Sequence, residues 1–425
     1  MPDSYSLSLL VFVLFAVLTY FIVRQEMIWF TPASLFSILW CFVMGFSLIS
    51  APDYYFSPLA LLLIVSMVLT FFVGGKVYSK FVLRAPQITN VAFSGFQRVE
   101  KQINRFYIAF VICGFIAVFF LLKDSGIRLK GIFDWQGLKT ISSELSRMRY
   151  EGVRQSGFTM LFLSLAYCGT LFGGLLFAFS KRAKQRMLFL FILLPIFLYT
   201  FVSTARAVFL FALVLWVSSF CSASVLARKG FSKSVGRKTF LLIAGIGGFV
   251  FITFVFTQAL RMNLDPFSVE NLKFLVGYLR SAFSGNVSAF SIWFDNFDFE
   301  FSHQYFKNTF GGVYEQLGLG LRKPGVYQAQ FDVNGQMSFT NIFTLFRLLI
   351  DDLSIYGAFI FLFALGFASA FLFFKSFYGS FVHAAILPGF IALLLWSFIA
   401  SILAYNTILF ACCLFSLIVY FYYKK

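Results

Sequence analysis

The residues of this chain best suited to chemistry are arginines placed where membrane topology does not require them. Three stand apart: Arg206 in FVSTARAVFLF, Arg280 in VGYLRSAF and Arg347 in TNIFTLFRLLIDDLS. A guanidinium is planar, permanently charged and able to grip a phosphate with two parallel hydrogen bonds. Ser203 and Thr204 precede Arg206 at a helix start, where free N–H groups, hydroxyls and a cationic fork make an anion-binding corner. The simpler alternative is an arginine that snorkels to the headgroups. A second group, Arg147, Arg149 and Arg154, lies in SELSRMRYEGVRQSG. Arg147 and Arg154 share a helical face, and Arg149 points elsewhere unless the helix breaks, which Gly152 and Gly157 permit. The chemistry expected of such groups is recognition of an anion such as a pyrophosphate, with Arg206, Arg280 and Arg347 gathered as one cluster in a cavity open to both lipid and solvent. The competing reading of the second group is a solvated amphipathic helix.

An acid or base is needed beside them, and the polar segment from Arg261 to Asp352 offers Glu300, His303, Asp351 and Asp352. The stretch FSIWFDNFDFEFSHQYF interleaves aromatics with carboxylates, a surface suited to sugar rings. In a chain with 65 Phe it equally fits an interfacial aromatic belt. The Asp351–Asp352 pair could serve a metal, but helix-dipole complementarity explains it as well. With two histidines in the whole chain, a histidine metal cluster is close to excluded. No P-loop, dinucleotide-binding glycine pattern, nucleophile elbow or zinc-protease motif occurs.

The elements that must position these residues are membrane helices. Of 425 residues, 60% are hydrophobic and only 12% charged, more apolar surface than a soluble fold of this size can hide. Eleven spans are expected: Tyr5–Val23, Pro32–Ile49, Ser57–Gly75, Arg105–Leu122, Phe158–Ser180, Met187–Val202, Ala207–Leu226, Thr239–Ala259, Leu353–Phe374, Ala384–Leu403 and Thr407–Tyr423. They form one integral domain over 1–425, with long loops at 123–157 and 261–352, and Val276–Trp293 is expected as a helix lying along the membrane. The cysteines all fall in apolar spans, the pattern of small buried hydrophobes. The net charge of +17 collects on one side, in clusters such as Lys181, Arg182, Lys184 and Arg186. The positive-inside rule makes that side cytoplasmic, which places the N-terminus and both long loops outside and the C-terminus inside. That distribution argues against nucleic acid as a partner.

The order of these motifs resembles the O-antigen polymerase (Wzy-type) family. The resembling residues are Asn341-x-x-Thr344-x-Phe346-Arg347, then Asp351–Asp352 and Gly357 before a late span. The turn STARAVF and the basic loop RMRYEGVRQSG also look similar. Together they cover about fifty residues. Related ligases carry His-Asn where this chain has Thr340-Asn341, and Arg147 to Gly157 is one residue short of the arginine–glycine spacing seen in some polymerases. The resemblance implies an all-α, GT-C-like membrane glycosyltransferase of the bacterial inner membrane, active at its periplasmic face. Its substrate would be an undecaprenyl-diphosphate-linked oligosaccharide, with neither metal nor cofactor and with a chain-length regulator as a further partner. Arg206, Arg280, Arg347 and Asp352 would be catalytic, and Arg147, Arg149, Arg154, Asn341, Asp351, Glu300 and His303 would bind substrate. An O-antigen ligase and a lipid-linked oligosaccharide flippase are the alternative expectations. A flippase should carry charges within its spans, and the expected spans are nearly free of them.

Overall fold

Apolar runs near twenty residues long must satisfy their backbone groups internally, so they fold as helices. The computed structural model describes residues 2–26, 28–82, 91–124, 135–150, 155–227, 237–298, 304–319, 329–333, 335–340, 342 and 344–424. In chain order the helices are α1 (Pro2–Gln25), α2 (Pro32–Ser50), α3 (Pro58–Val77), α4 (Val91–Asp124), α5 (Trp135–Tyr150), α6 (Gly157–Phe179), α7 (Ala183–Leu190), α8 (Leu193–Ser203), α9 (Arg206–Ala227), α10 (Arg237–Arg261), α11 (Val269–Asp295), α12 (Gly311–Gln316), α13 (Leu345–Phe377), α14 (Phe381–Trp396) and α15 (Asn406–Lys424). One antiparallel hairpin, β1 (Ala329–Val333) and β2 (Gln336–Thr340), sits between α12 and α13. Among the described residues nine helices are long and apolar enough to cross a membrane, which makes this a polytopic helical membrane protein. Two further apolar helices, Gly247–Arg261 and Phe381–Trp396, are shorter.

Several elements depart from expectation, each for a local reason. Helix α13 begins at Leu345, before the expected Leu353, because the Thr344 hydroxyl caps it by accepting the Arg347 N–H at 3.2 Å. The expected boundary survives as a break: Ser354 has φ 72° and ψ 170°, outside the helical region. Helix α14 stops at Trp396 instead of running to Leu403, because the next groups are committed to neighbours. The Ser397 carbonyl accepts the Leu345 N–H at 2.7 Å, its hydroxyl accepts the Trp40 indole N–H at 2.9 Å, and the Phe398 carbonyl accepts the Asn286 amide at 2.8 Å. The hairpin was not expected, although Asn334-Gly335 between two short alternating runs is a strong hairpin signal. Gly335 takes the positive φ that such a turn needs.

The core runs through α6, α9, α3, α13 and α14. Helices α3 and α13 lie backbone to backbone at two glycines. A Cβ on Gly74 would strike the Phe363 carbonyl, and one on Gly366 would strike the Phe71 carbonyl. Only glycine permits that approach.

The bundle has two distinct ends. At one, Ser4 and Ser8 of α1 donate to the Phe56 carbonyl, and the α2–α3 connection docks on α11 and β1. The α14–α15 connection and the start of α13 join them there. At the other end Lys76 pairs with Glu26 at 2.8 Å, Tyr78 packs on Phe371 and Phe374, and Phe381 stacks on Tyr423 and Phe179. The start of α1 thus shares an end with the polar segment, and the close of α15 lies at the opposite one.

Candidate active site

Helix α11 organises the polar end. It carries Glu270, Lys273, Arg280 and Asp295 along a length that also buries Leu275, Leu279 and the run Ser284–Ser291. All three singled-out arginines meet it, at different places. The Arg206 guanidinium lies over the rings of Phe254 at 5.6 Å and Tyr278 at 5.5 Å. Arg261 also lies within electrostatic reach of Tyr278. Arg280 leaves α11 toward the α2–α3 connection, ion-paired with Asp53 and stacked over Tyr54 at 4.9 Å. Arg347 lies over Trp293 at 5.1 Å, with its Nε 3.8 Å from Asp351 Oδ2 one turn along α13.

At 1.5 Å and 100° per residue, Tyr278 and Trp293 are about 22 Å apart along α11 and about 60° apart around it. Arg280 departs from nearly the opposite side, about 160° from Tyr278. The described side chains therefore form three guanidinium stations along one helix instead of the single cluster expected. They differ in balance. Arg280 and Arg347 each have a carboxylate, whereas Arg206 has none among the described residues.

The two neighbouring aspartates also differ. Asp352 is 1% exposed, and its carboxylate accepts the backbone N–H groups of Asn308 at 3.0 Å and Thr309 at 2.7 Å. Both oxygens are engaged in holding the 304–310 turn against α13. That position does not suit the catalytic role expected of it, because a base must reach the proton it removes. Asp351 is 27% exposed, and the charged groups beside it among the described residues are the Arg347 guanidinium and the Asp352 carboxylate. It can accept a proton.

The corner at Arg206 is simpler than expected. Thr204 adopts a left-handed conformation, and its hydroxyl donates to the Ser203 carbonyl. The Ser203 hydroxyl accepts the Ala205 N–H at 3.3 Å, and both side chains are buried. The hydroxyls are turned inward, which leaves the guanidinium and the Tyr278 phenol as the corner's polar groups. Arg147 is exposed on α5 and sits 3.4 Å from Glu144. Arg149 is also on α5, but its side chain, together with Arg154, Glu300, His303 and Asn341, lies outside the described residues.

The α2–α3 connection is the component the sequence reading missed. Tyr55 and Ser57 donate to the two oxygens of Asp295 at 2.7 and 2.6 Å, and Tyr54 shares a hydrogen bond with Ser281. Partial burial, and then the Asp295 carboxylate, push the Tyr55 phenol up to about 12, so it stays a donor at ordinary pH. The signal was Asp53-Tyr54-Tyr55, a polar and aromatic triplet in a very short connection. Among the described residues no group of three or more His, Cys, Asp or Glu could hold a metal ion, and the six cysteines are unpaired. Comparison with protein-family models, curated proteins and solved structures finds no match to this chain.

Proposed function

We propose that this protein is a membrane glycosyltransferase that polymerises lipid-linked oligosaccharide repeats at the outer face of a bacterial inner membrane. The observation that carries the reading is the Arg347 station. A guanidinium held against an indole, with a partly open carboxylate one turn away, stands where a membrane helix meets the polar segment. The charge pattern of the connecting loops supports reading that end as periplasmic, with the N-terminus there and the C-terminus in the cytoplasm.

In the proposed reaction the acceptor hydroxyl of an incoming repeat attacks the anomeric carbon of the growing glycan. The bond from that carbon to the diphosphate oxygen breaks, and undecaprenyl diphosphate leaves with the bonding pair. Asp351 takes the hydroxyl proton. Arg347 stabilises the charge growing on the diphosphate, an interaction strengthened by its low-dielectric surroundings. Trp293 offers the apolar edge of its indole to a sugar. Arg206, with no carboxylate partner among the described residues, binds a phosphate of the same or a second lipid carrier. Arg280 acts by positioning: with Asp53 it fixes the α2–α3 connection against α11.

The deciding experiment supplies purified protein in vesicles with lipid-linked repeats alone. Chain extension is expected. Exchange of the repeats between leaflets without extension would mark a flippase, and transfer only onto a lipid A core acceptor would mark a ligase.

A further inference from the structure

A cleft of about 520 Å³ lies between α1 and α2, lined by neither Arg206 nor Arg347. Its walls include Phe12 and Thr19 of α1 and Ile38, Cys41, Phe46 and Ser50 of α2. Both helices are long and apolar enough to cross the membrane, so the cleft opens sideways into hydrocarbon. Phe42 and Ile49 on its rim are 66% and 73% exposed. Where α1 and α2 come closest, Gly45 admits the Phe12 ring, which a Cβ would strike at 2.6 Å. The cleft is therefore shaped by packing at one point and open along the rest.

Its length and its end say what fits. From Ile38 to Ser50 it runs about 18 Å at 1.5 Å per residue, against about 15 Å for one leaflet's share of a 30 Å hydrocarbon core. The upper end is polar. The Ser50 hydroxyl shares a hydrogen bond with Ser284 at 2.9 Å, and on the next turn of α11 Ser281 meets Tyr54 and Arg280 meets Asp53. Asp53 engages one arm of Arg280, while its Nε is buried with no hydrogen-bond acceptor among the described residues. A leaflet-long apolar trough that ends beside hydroxyls and an incompletely satisfied guanidinium matches one chemistry: an acyl chain carrying an anionic headgroup.

We infer that the α1–α2 cleft is a binding site for an anionic phospholipid of the leaflet on the α11 side, its acyl chain against Phe12, Cys41 and Phe46 and its phosphate toward Arg280. The inference stands apart from the proposed glycosyl transfer. The lipid is a fixed structural companion whose headgroup braces the α2–α3 connection on α11.

The test reconstitutes the full chain in phosphatidylcholine vesicles containing phosphatidylglycerol with a diazirine on one acyl chain, followed by photolysis and peptide mass spectrometry. Adducts should concentrate on Phe12, Cys41 and Phe46 over Ile112 and Phe119 of α4 and Ile360 of α13, although these three controls are the more exposed. Unlabelled phosphatidylglycerol should compete about fivefold better than phosphatidylcholine, the preference one arginine near an anionic headgroup supports. Cys41→Phe should fill the trough and remove its labelling, leaving the α4 and α13 adducts and the melting temperature unchanged. Arg280→Gln should abolish the headgroup preference with the trough still labelled. Adducts spread evenly over all exposed apolar residues, or equal competition by the two lipids in the unsubstituted protein, would overturn the inference. Those two readouts decide it even if either variant fails to fold.

Discussion

The Arg347 and Arg206 stations place the same guanidinium against an aromatic ring of the same helix, yet they are built to different ends. Arg347 has Asp351 within 3.8 Å and stands beside a buried aspartate that clamps the neighbouring turn. Arg206 has ring faces, a phenol and no carboxylate among the described residues. A charge balanced by a base within reach suits bond making and breaking. A charge held against ring faces, with no carboxylate beside it among the described residues, suits an anion that arrives and leaves. The difference teaches that burial alone does not tell two such arginines apart; the counterion does.

The sharpest way to break that contrast is Asp351→Asn. As the general base, its loss should lower the rate of chain extension by about 10²–10⁴-fold, with stability within about 1 kcal/mol of the parent because the pair is partly exposed. An unchanged rate would move the base elsewhere. Next, Asp352→Ala removes two charge-assisted hydrogen bonds and should cost about 3 kcal/mol of stability. Thermal unfolding would read this, together with faster amide exchange at Asn308 and Thr309. A rate defect without destabilisation would return Asp352 to the chemistry. Third, Arg347→Ala should lower kcat by roughly 10–150-fold, the worth of one charge-assisted hydrogen bond made in the transition state, with insertion unaffected. Arg206→Ala should instead raise KM with kcat held. If the two substitutions behave alike, the stations are not distinct. The smallest effect is expected of Trp293→Leu, which removes a cation–π contact worth about 0.5–1 kcal/mol and should slow extension by a few-fold.

Much of this was legible before any coordinates. Arg347 and Asp351 are four residues apart, which on a helix makes them neighbours, and the apolar runs located the spans. What was not legible depended on partners distant in the chain. Nothing near Ser397 says that its carbonyl would take the Leu345 N–H and end α14 early. Asp351 and Asp352 are identical in type, and only the 304–310 turn, brought in by the fold, separates a reachable carboxylate from a buried clamp. Arg280 looked like its fellows, but its neighbours Asp53 and Tyr54 come from more than two hundred positions away. The hairpin is the exception, since Asn334-Gly335 announced it.

The break at Ser354 has a mechanical consequence. Below it, glycine contacts weld α13 to α3 into a single stiff rod. Above it, about two and a half turns of helix carry Arg347, Asp351 and Asp352, joined to the rod through a serine in a conformation that costs on the order of 1–3 kcal/mol. Arg347 and Asp351 are thus mounted like a crank on a fixed axle. A turn about Ser354 would re-aim the guanidinium and the carboxylate while the portion inside the bilayer stays still.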